Sequence, residues 1–353
     1  MSLMSERAHD GSTILCVTHN VTSLDKADQA VVLRSDAGAT TAYTGPANDA
    51  PTTLGCDGWP ETFTRLSGRP ARHVTVQQKP TLPPKPPRLR SPLRTWLLLI
   101  SREAAQVVAR RASNVTTALL PVLGALLAVV AGHAGWVSGS ASSQVVSLLA
   151  TVAVLTATSL TYAEVVHELP TIRREYRIGV SGLQVVAAKL TVATVLLVPL
   201  TAALVAVYAA FRPLGGQGSL GHPGPILGLA TPLFLAAVCS SAAGLLVSAA
   251  SPNLQRAVGL STALAIVQVA LNGTLVPLDA AGRWATSIVP ARLAVGAQEA
   301  YLGNGVGAPR THDPLWRHHL LTWVADNFAL VLVTLLLAML AGAVLDRRCR
   351  KPD

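Results

Sequence analysis

A histidine at the end of a short β-type run is the first residue of this chain that could do chemistry. The run is TILCVTH, from Thr13 to His19, and a short polar segment that indicates a helical turn follows it. A lone histidine in such a place is by default a strand-end residue whose ring bonds a backbone carbonyl. A catalytic role for His19 therefore depends on what the rest of the sequence places around it.

A run of alternating charges between two apolar segments is the second candidate. It reads AEVVHELPTIRREYRIGVSGLQVVAAKL, from Ala163 to Leu190. Most such runs are solvated loops, but alternating charges on a short amphipathic element also suit a contact between moving proteins. The residues that would make this contact are Glu164, Glu168, Arg173, Arg174, Glu175, Arg177 and Ser181, and Lys189 follows inside the next apolar segment.

The same run contains half of a metalloprotease motif. His167 and Glu168 begin an HExxH pattern, but Thr171 stands where the second histidine ligand would be. Pro170 is also expected to break the helix that would align two ligands. Because the cysteines show no CxxC spacing either, the sequence predicts no metal site.

Two amide side chains stand inside an otherwise apolar run, Val258 to Asp279. Gln268 and Asn272 are four residues apart, so a helix would present them on one face. Amides in lipid are costly unless they face protein or water. They are therefore expected either to hydrogen-bond a neighbouring helix or to line the path of a substrate.

Composition places these candidates in a membrane protein. Of the 353 residues, 50% are hydrophobic and only 13% are charged, whereas soluble domains carry about 25% charge. Apolar runs of about 20 residues recur, and each is long enough to cross a bilayer. The net charge of +10 is spread beside these runs, which favours contact with anionic membrane lipids and argues against nucleic acid as a partner.

The order of segments indicates a mixed soluble region, a proline-rich spacer, a helix in the membrane interface, a membrane domain and a basic tail. These regions are predicted at residues 1–70, 71–92, 93–112, 113–346 and 347–353. Six spans are predicted in the membrane domain, at about 114–132, 143–165, 183–211, 225–250, 257–278 and 327–345.

Basic residues beside the spans predict the orientation. Arginine is enriched before the first span, between the second and third, and after the last. This pattern places both termini and the second-to-third loop in the cytoplasm of a multi-pass plasma-membrane protein. One long outer loop disagrees with the pattern, and its basic residues are Arg283, Arg292, Arg310 and Arg317.

The region around His19 resembles the end of the nucleotide-binding domain of ABC transporters. TILCVTHN, SLDKADQ and AVVLRSDAGATTAYTGPA follow the order of elements after the catalytic strand of that family. The resemblance implies that His19 is the switch histidine, which contacts the γ-phosphate and orients the attacking water. GxxxxGK[ST], LSGGQ and the acidic catalytic strand are absent from the sequence, so the chain alone is expected not to bind or hydrolyse ATP. A start assigned too late is the expected explanation, and a true fragment or a separate motor subunit are the alternatives.

The second-to-third loop resembles that of the ABCG, or white-type, half-transporters, where it forms a coupling helix that presses on the ATPase domain. The resemblance covers nearly the whole chain. It implies a mainly α membrane protein, with a six-helix transmembrane domain preceded by a truncated α/β ABC ATPase fragment and an interfacial helix. Short re-entrant helices would carry Trp284 and Pro290. The fifth span would line a substrate cavity, with candidate residues Gln268, Leu271, Asn272 and Leu275.

The expected function is the membrane part of an ABC exporter that works as a homodimer or with a separate ABC ATPase subunit. ATP and Mg²⁺ would be bound only by a complete motor. The substrate is expected to be amphipathic or lipid-like, and no residue pattern identifies it. Two alternatives stay open: a regulatory remnant that keeps the spans without a motor, and an intramembrane enzyme, which would need paired acids or histidine ligands inside the spans.

Overall fold

The computed structural model describes most of the chain after the proline-rich spacer and part of the region before it. The chain divides into two compact units, Met1–Arg88 and Leu89–Asp353. The described residues are 13–18, 24, 26–34, 40–66, 91–109, 111–131, 142–212, 214, 219–274, 280–303 and 314–350.

In the first unit, an antiparallel hairpin packs against short helices. Strand β1 (Gln29–Arg34) pairs with β2 (Thr40–Pro46), and the two strands fall on the segment AVVLRSDAGATTAYTGPA that carries part of the resemblance. Val32 and Tyr43 are buried together with Ala50 in a small apolar core. Two helices follow the hairpin, α1 (Ala50–Thr53) and α2 (Trp59–Leu66).

The predicted first β-run is wrong over the part that the structure describes. Residues 13–18 have no regular secondary structure, and Leu15 and Val17 are exposed. A strand needs the backbone hydrogen bonds of a neighbour, and the described part of this unit supplies only the β1–β2 pair. His19, the candidate switch histidine, lies outside the described residues.

The second unit is built of helices whose bounds follow the apolar pattern of the sequence. The third and fourth predicted spans match helices to within one residue. In chain order the helices are α3 (Pro92–Ala109), α4 (Arg111–Ala131), α5 (Ser142–Thr161), α6 (Glu164–Arg177), α7 (Gly182–Phe211), α8 (Pro225–Ala250), α9 (Leu254–Ala270), α10 (Ala280–Ala285), α11 (Pro290–Leu302) and α12 (Leu320–Arg350).

Four helical stretches of the described chain are long and apolar enough to cross a membrane. They are α7, α8, α12 and Ser143–Arg177, in which a turn joins α5 to α6. The apolar helices Thr117–Ala131 and Leu254–Ala270 are shorter. The second of these ends before the predicted boundary because the chain turns at Gly273, whose φ of 86° suits glycine. The arrangement of six spans therefore stays a prediction.

Small residues let the long helices approach closely. A Cβ added to Gly244 of α8 would lie 2.2 Å from Thr161 Oγ1 of α5. One added to Gly342 of α12 would lie 2.9 Å from the Cα of Leu183 of α7. In lipid, helices associate through such close packing because the apolar solvent gives them little other drive. These glycines therefore set the spacing of the bundle.

Helices α10 and α11 occupy the place of the predicted short helices, and every residue of α11 is buried. Arg292 of α11, which the sequence assigns to the outer loop, donates hydrogen bonds to the Arg283 carbonyl oxygen at 2.8 Å and to the Thr286 hydroxyl. Arg292 is fully buried, so its side chain does not lie in an exposed loop. The orientation stays a prediction, and Arg310 lies outside the described residues.

Candidate functional site

Among the described residues, six charged side chains from three helices meet at one end of the second unit. Helices α3 and α6 and the first half of α7 supply them. We call this set the ionic cluster, and its members are Arg102 and Glu103 of α3, Glu164, Glu168 and Glu175 of α6, and Lys189 of α7.

Lys189 stands at the centre of the ionic cluster. Its side chain is 2% exposed, and Nζ donates hydrogen bonds to Glu103 at 2.7 Å, Glu168 at 3.0 Å and Glu164 at 3.4 Å. An ammonium out of water is very costly unless charged acceptors surround it. The three carboxylates meet that need, so the lysine joins the otherwise apolar α7 to both α3 and α6.

Arg102 makes the second set of bonds between α3 and α6. Its guanidinium donates to Glu103 at 2.7 Å and Glu168 at 3.4 Å, and also to Glu175 near the end of α6. Burial alone would raise the pKa of Glu103, but Lys189 and Arg102 hold that pKa below its ordinary value. Glu103 is therefore ionised near neutral pH and bonds both cations.

The start of α6 is capped by a residue of another helix. Ala163, at the N-cap position, has no side-chain acceptor, but Ser248 Oγ of α8 accepts hydrogen bonds from the backbone N–H of Val165 at 3.0 Å and Val166 at 3.1 Å. The first N–H groups of a helix have no partner within the helix. Ser248 supplies that partner and so attaches α6 to the end of α8.

The expectation that Pro170 breaks this helix is wrong, because α6 continues through it. Proline removes one backbone donor, a loss that packing on both sides can offset. Val165 and Ile172 are buried in the apolar core on either side of the proline. Glu168 and Glu175 add ion pairs before and after it.

The turn after α6 is closed by capping bonds. Ser181 Oγ accepts from the Gln184 backbone N–H at 3.3 Å, and Gln184 Oε1 accepts from the Ser181 N–H at 3.0 Å, which forms a capping box for α7. Asp346 of α12 accepts from the Gly182 N–H at 2.6 Å. Ser181 therefore shapes the turn, and α12 holds it in place.

The arginines of α6 lie away from the ionic cluster. Arg174 and Arg177 are exposed, whereas Arg173 is half-buried and lies near Arg348 of α12. Helix α6 thus has a glutamate face bonded to the bundle and a basic face open to a partner. Such a division suits a helix that receives a contact on one side and is anchored on the other.

The last turn of α12 joins the same end of the unit. Arg350 Nε donates to the Tyr176 hydroxyl of α6 at 2.9 Å. Arg348 donates to the carbonyl oxygen of Ala249 in the last turn of α8 at 3.1 Å and to that of Pro252, between α8 and α9, at 3.2 Å. The basic end of α12 therefore lies beside the basic face of α6.

The sequence pointed to the glutamates of α6 but not to their partners. It did not link Arg102 or Glu103 to these glutamates, and Ser248 carried no signal at all. A lone lysine inside an apolar span does require opposite charges nearby, because burial of an unpaired ammonium is prohibitive. That requirement could have linked Lys189 to Glu103.

A metal ion is another group that clustered carboxylates can hold. Carboxylate oxygens of Glu103, Glu164 and Glu168 lie within 4.8 Å of one another. Lys189 Nζ donates to all three, so a lysine ammonium already supplies the positive charge that an ion would bring. The arrangement is typical of a charge-assisted hydrogen-bond network.

The two amides near the end of α9 are buried by neighbouring helices. Ser240 Oγ of α8 donates to Gln268 Oε1 at 3.2 Å, and Asn272 Nδ2 donates to Ser147 Oγ of α5 at 2.7 Å. Each amide residue is only 1% exposed. Of the two expectations for these residues, the contacts within one copy favour interhelical hydrogen bonding.

The expectation that both amides share one helix face is wrong, because α9 ends at Ala270 and Asn272 lies in the turn that follows. Asn272 Oδ1 accepts from the Thr274 N–H at 3.0 Å, a bond that shapes this turn. Leu271 is half-buried, and Leu275 lies outside the described residues.

Comparison with known proteins gives two matches. Residues 94–301 match the model of a family described as ABC-2 type transporter. The chain is also similar to the ABC transporter ATP-binding/permease protein Rv1747 of Mycobacterium tuberculosis, at 29% identity over 367 residues. That alignment covers 95% of this chain and 42% of the relative, so the chain spans about two fifths of the relative's length.

Proposed function

The chain belongs to the ABC-2 type transporter family, and from this premise we propose that it forms the membrane path of an exporter of the ABCG, or white, type. It is a membrane component of an ABC transporter. The proposal adds the direction of transport, six spans in each copy and a coupling role for α6. The observation that carries it is the ionic cluster, which bonds a helix with an exposed basic face to the interior of the bundle.

In this mechanism α6 receives the movement of an ATPase domain and passes it to α3 and α7. Lys189 and Arg102 bond to different parts of α6, so a push on the helix cannot move it alone without breaking buried ion pairs. Breaking a buried pair by removing one partner typically costs about 3–5 kcal/mol. A rigid displacement of the three helices is therefore easier than a displacement of α6 by itself.

The energy comes, in this proposal, from a complete nucleotide-binding domain that binds ATP and Mg²⁺. The name of the relative includes an ATP-binding function, and this sequence contains no GxxxxGK[ST] loop. His19 would act as the switch histidine of that domain. The proposal holds whether the remainder of the domain is on the same polypeptide or on a separate ABC ATPase subunit.

A second copy of the chain is the proposed partner within the membrane. Helix α9 is shorter than the roughly 20 residues that cross a bilayer, and short spans are commonly accommodated by oligomerisation. Leu260 and Ile266 of α9 are 48% and 63% exposed in a single copy. A two-fold axis beside α9 would cover this surface and place Leu271 and Leu275 on a central path for the substrate.

The end of the unit that carries α6 is proposed to face the cytoplasm of the cell. Two basic segments lie together there, since Arg350 of α12 bonds Tyr176 of α6. Clustered arginine at one end of a helical bundle marks the cytoplasmic side. Both chain termini would then be cytoplasmic, in a plasma-membrane protein.

Charge reversal on the open face of α6 tests the coupling role. The complete transporter, with its nucleotide-binding domain, is prepared with Arg173→Glu and Arg174→Glu together and reconstituted in lipid. We expect loss of ATP-driven transport and of the change in ATPase rate on reconstitution, because the substitutions reverse the charge that α6 would present to the ATPase domain.

Arg317→Glu is the matched control, since Arg317 is exposed and lies outside α6. We expect this variant to keep both activities. Normal transport and a normal ATPase response in the Arg173/Arg174 double variant would remove the coupling role of α6.

A further inference from the structure

A cavity of about 240 Å³ lies beside the ionic cluster, with walls from α3, α4, α5, α6, α7 and α8. Its lining is divided between two kinds of side chain. One part is charged and includes Glu103, Glu164 and Lys189, and the other is apolar and includes Leu160, Val192 and Leu196. A cavity of this kind suits an amphiphile, because the head and the chain each meet a surface of their own polarity.

The charged part of the lining favours a cationic head. Lys189 directs its donors to three carboxylates, so the ammonium has little left to offer an anion. A carboxylate has about four acceptor sites, and the hydrogen bonds from Lys189 and Arg102 to Glu103 occupy two of them. Among the described lining residues, two carboxylates face one ammonium.

The size of the cavity favours a single chain. About 240 Å³ is below the roughly 300–1,000 Å³ of typical pockets for drug-sized ligands. Ser159 and His167 line the cavity and are also exposed, so the opening lies beside them. A primary ammonium and the first part of one alkyl chain fit this space, and the rest of the chain can leave through the opening into lipid.

We propose that this cavity binds the ammonium head of a single-chain amphiphile, with Glu103 and Glu164 as acceptors and Val192 and Leu196 against the chain. The site is separate from the path proposed beside α9, and its occupancy does not require ATP. Because the ligand would bond two members of the ionic cluster, its binding would stabilise the junction of α3, α6 and α7.

Thermal unfolding of the purified chain in phosphatidylcholine nanodiscs tests the site. Dodecylamine is compared with dodecanol and dodecyl sulfate, which have the same chain but a neutral or an anionic head. We expect a saturable rise in Tm with dodecylamine only, because a ligand that binds the folded state raises its apparent stability. Equal shifts with all three probes, or a larger shift with dodecyl sulfate, would overturn the proposal.

Two variants separate the cavity from general partition into lipid. The midpoint is the dodecylamine concentration that gives half of the full rise in Tm. Ser159→Trp fills the opening and should raise this midpoint at least tenfold. Val195→Trp, on the exposed and non-lining face of α7, should leave it unchanged. Glu164→Gln removes one acceptor charge without a change of size. It should raise the midpoint concentration, and it gives a test even if the tryptophan variant does not fold. An unchanged midpoint in Glu164→Gln would contradict the assignment of the head group.

Discussion

Lys189 is the residue whose loss should disturb the ionic cluster most. Lys189→Met keeps the length of the side chain but leaves three carboxylates without their shared ammonium. We expect a loss of about 3–5 kcal/mol in the free energy of unfolding, because removal of one partner of a buried ion pair strands the others. Thermal or denaturant unfolding of the chain in a neutral detergent would measure it.

Lys26→Met is the control for the loss of a lysine, since Lys26 is exposed in the first unit. Restoring charge balance is a second check, and Glu103→Gln added to Lys189→Met should recover part of the lost stability. A Lys189→Met protein as stable as the original would show that the cluster does not hold the three helices together.

Substitution of Ser248 tests whether a single hydroxyl group attaches α6 to α8. Ser248→Ala should destabilise the start of α6 by about 0.5–2 kcal/mol, the usual effect of losing a helix cap. Hydrogen exchange should become faster at the backbone N–H groups of Val165 and Val166, which donate to this hydroxyl. The readout is local, so a general loss of stability would not imitate it.

Ser251→Ala is the matched control, because Ser251 directly follows α8 and its hydroxyl donates to the Val247 carbonyl oxygen of that helix. Exchange at Val165 and Val166 should stay slow in that variant. If both substitutions had the same effect on the two amides, Ser248 would not be the cap.

At the residue scale, the sequence could identify charges that need partners but not which partners they find. The glutamates of α6 and Lys189 stand out because charge in an apolar setting is costly. Ser248 lies 83 residues from Val165, and no local pattern links a serine to a helix start so far away in sequence. Gln268 and Asn272 stand out for the same reason as the charges, but only the structure shows their partners on α8 and α5.

At the scale of elements, the approach of α7 to α12 depends on a glycine. Gly342→Ala places a methyl group 2.9 Å from the Cα of Leu183, a backbone atom that cannot give way without moving α7. Overpacking of this kind typically costs about 1–3 kcal/mol. We expect a lower Tm, although alanine is the better helix former.

Gly259→Ala in α9 is the matched control, because nothing lies within 4 Å of the added Cβ. The same substitution there should leave stability unchanged or raise it slightly, since helix propensity then decides the result. A Gly342→Ala protein that gains stability in the same way would show that α7 and α12 are not in close contact.

The long apolar elements were predictable because length and hydropathy alone define them. The bounds of α7 and α8 agree with the sequence for that reason. Helix α9 was predicted too long because the apolar run continues past Gly273, where the backbone turns. The sequence predicted that Pro170 breaks the helix, but α6 continues through it because tertiary contacts offset the helix-breaking effect of proline.

At the scale of the whole molecule, the central claim is that α3, α6 and α7 move together when ATP drives the transporter. Four elements converge at that end: the ionic cluster joins the three helices, and the last turn of α12 bonds α6 and the segment between α8 and α9. A movement received by α6 therefore has bonded routes to the helices on both sides. The proposed path beside α9 would open or close as a consequence.

Distances between spin labels in the complete, reconstituted transporter test this claim most directly. Labels at Arg174→Cys of α6 and Val195→Cys of α7, in a background without the native cysteines, report on the cluster. A second sample pairs Arg174→Cys with Ile266→Cys of α9, and unlabelled copies are added in excess so that each distance lies within one copy. We expect ATP with vanadate to leave the 174–195 distance unchanged and to shift the 174–266 distance. A shift of the 174–195 distance as large as that of the 174–266 distance would contradict the claim.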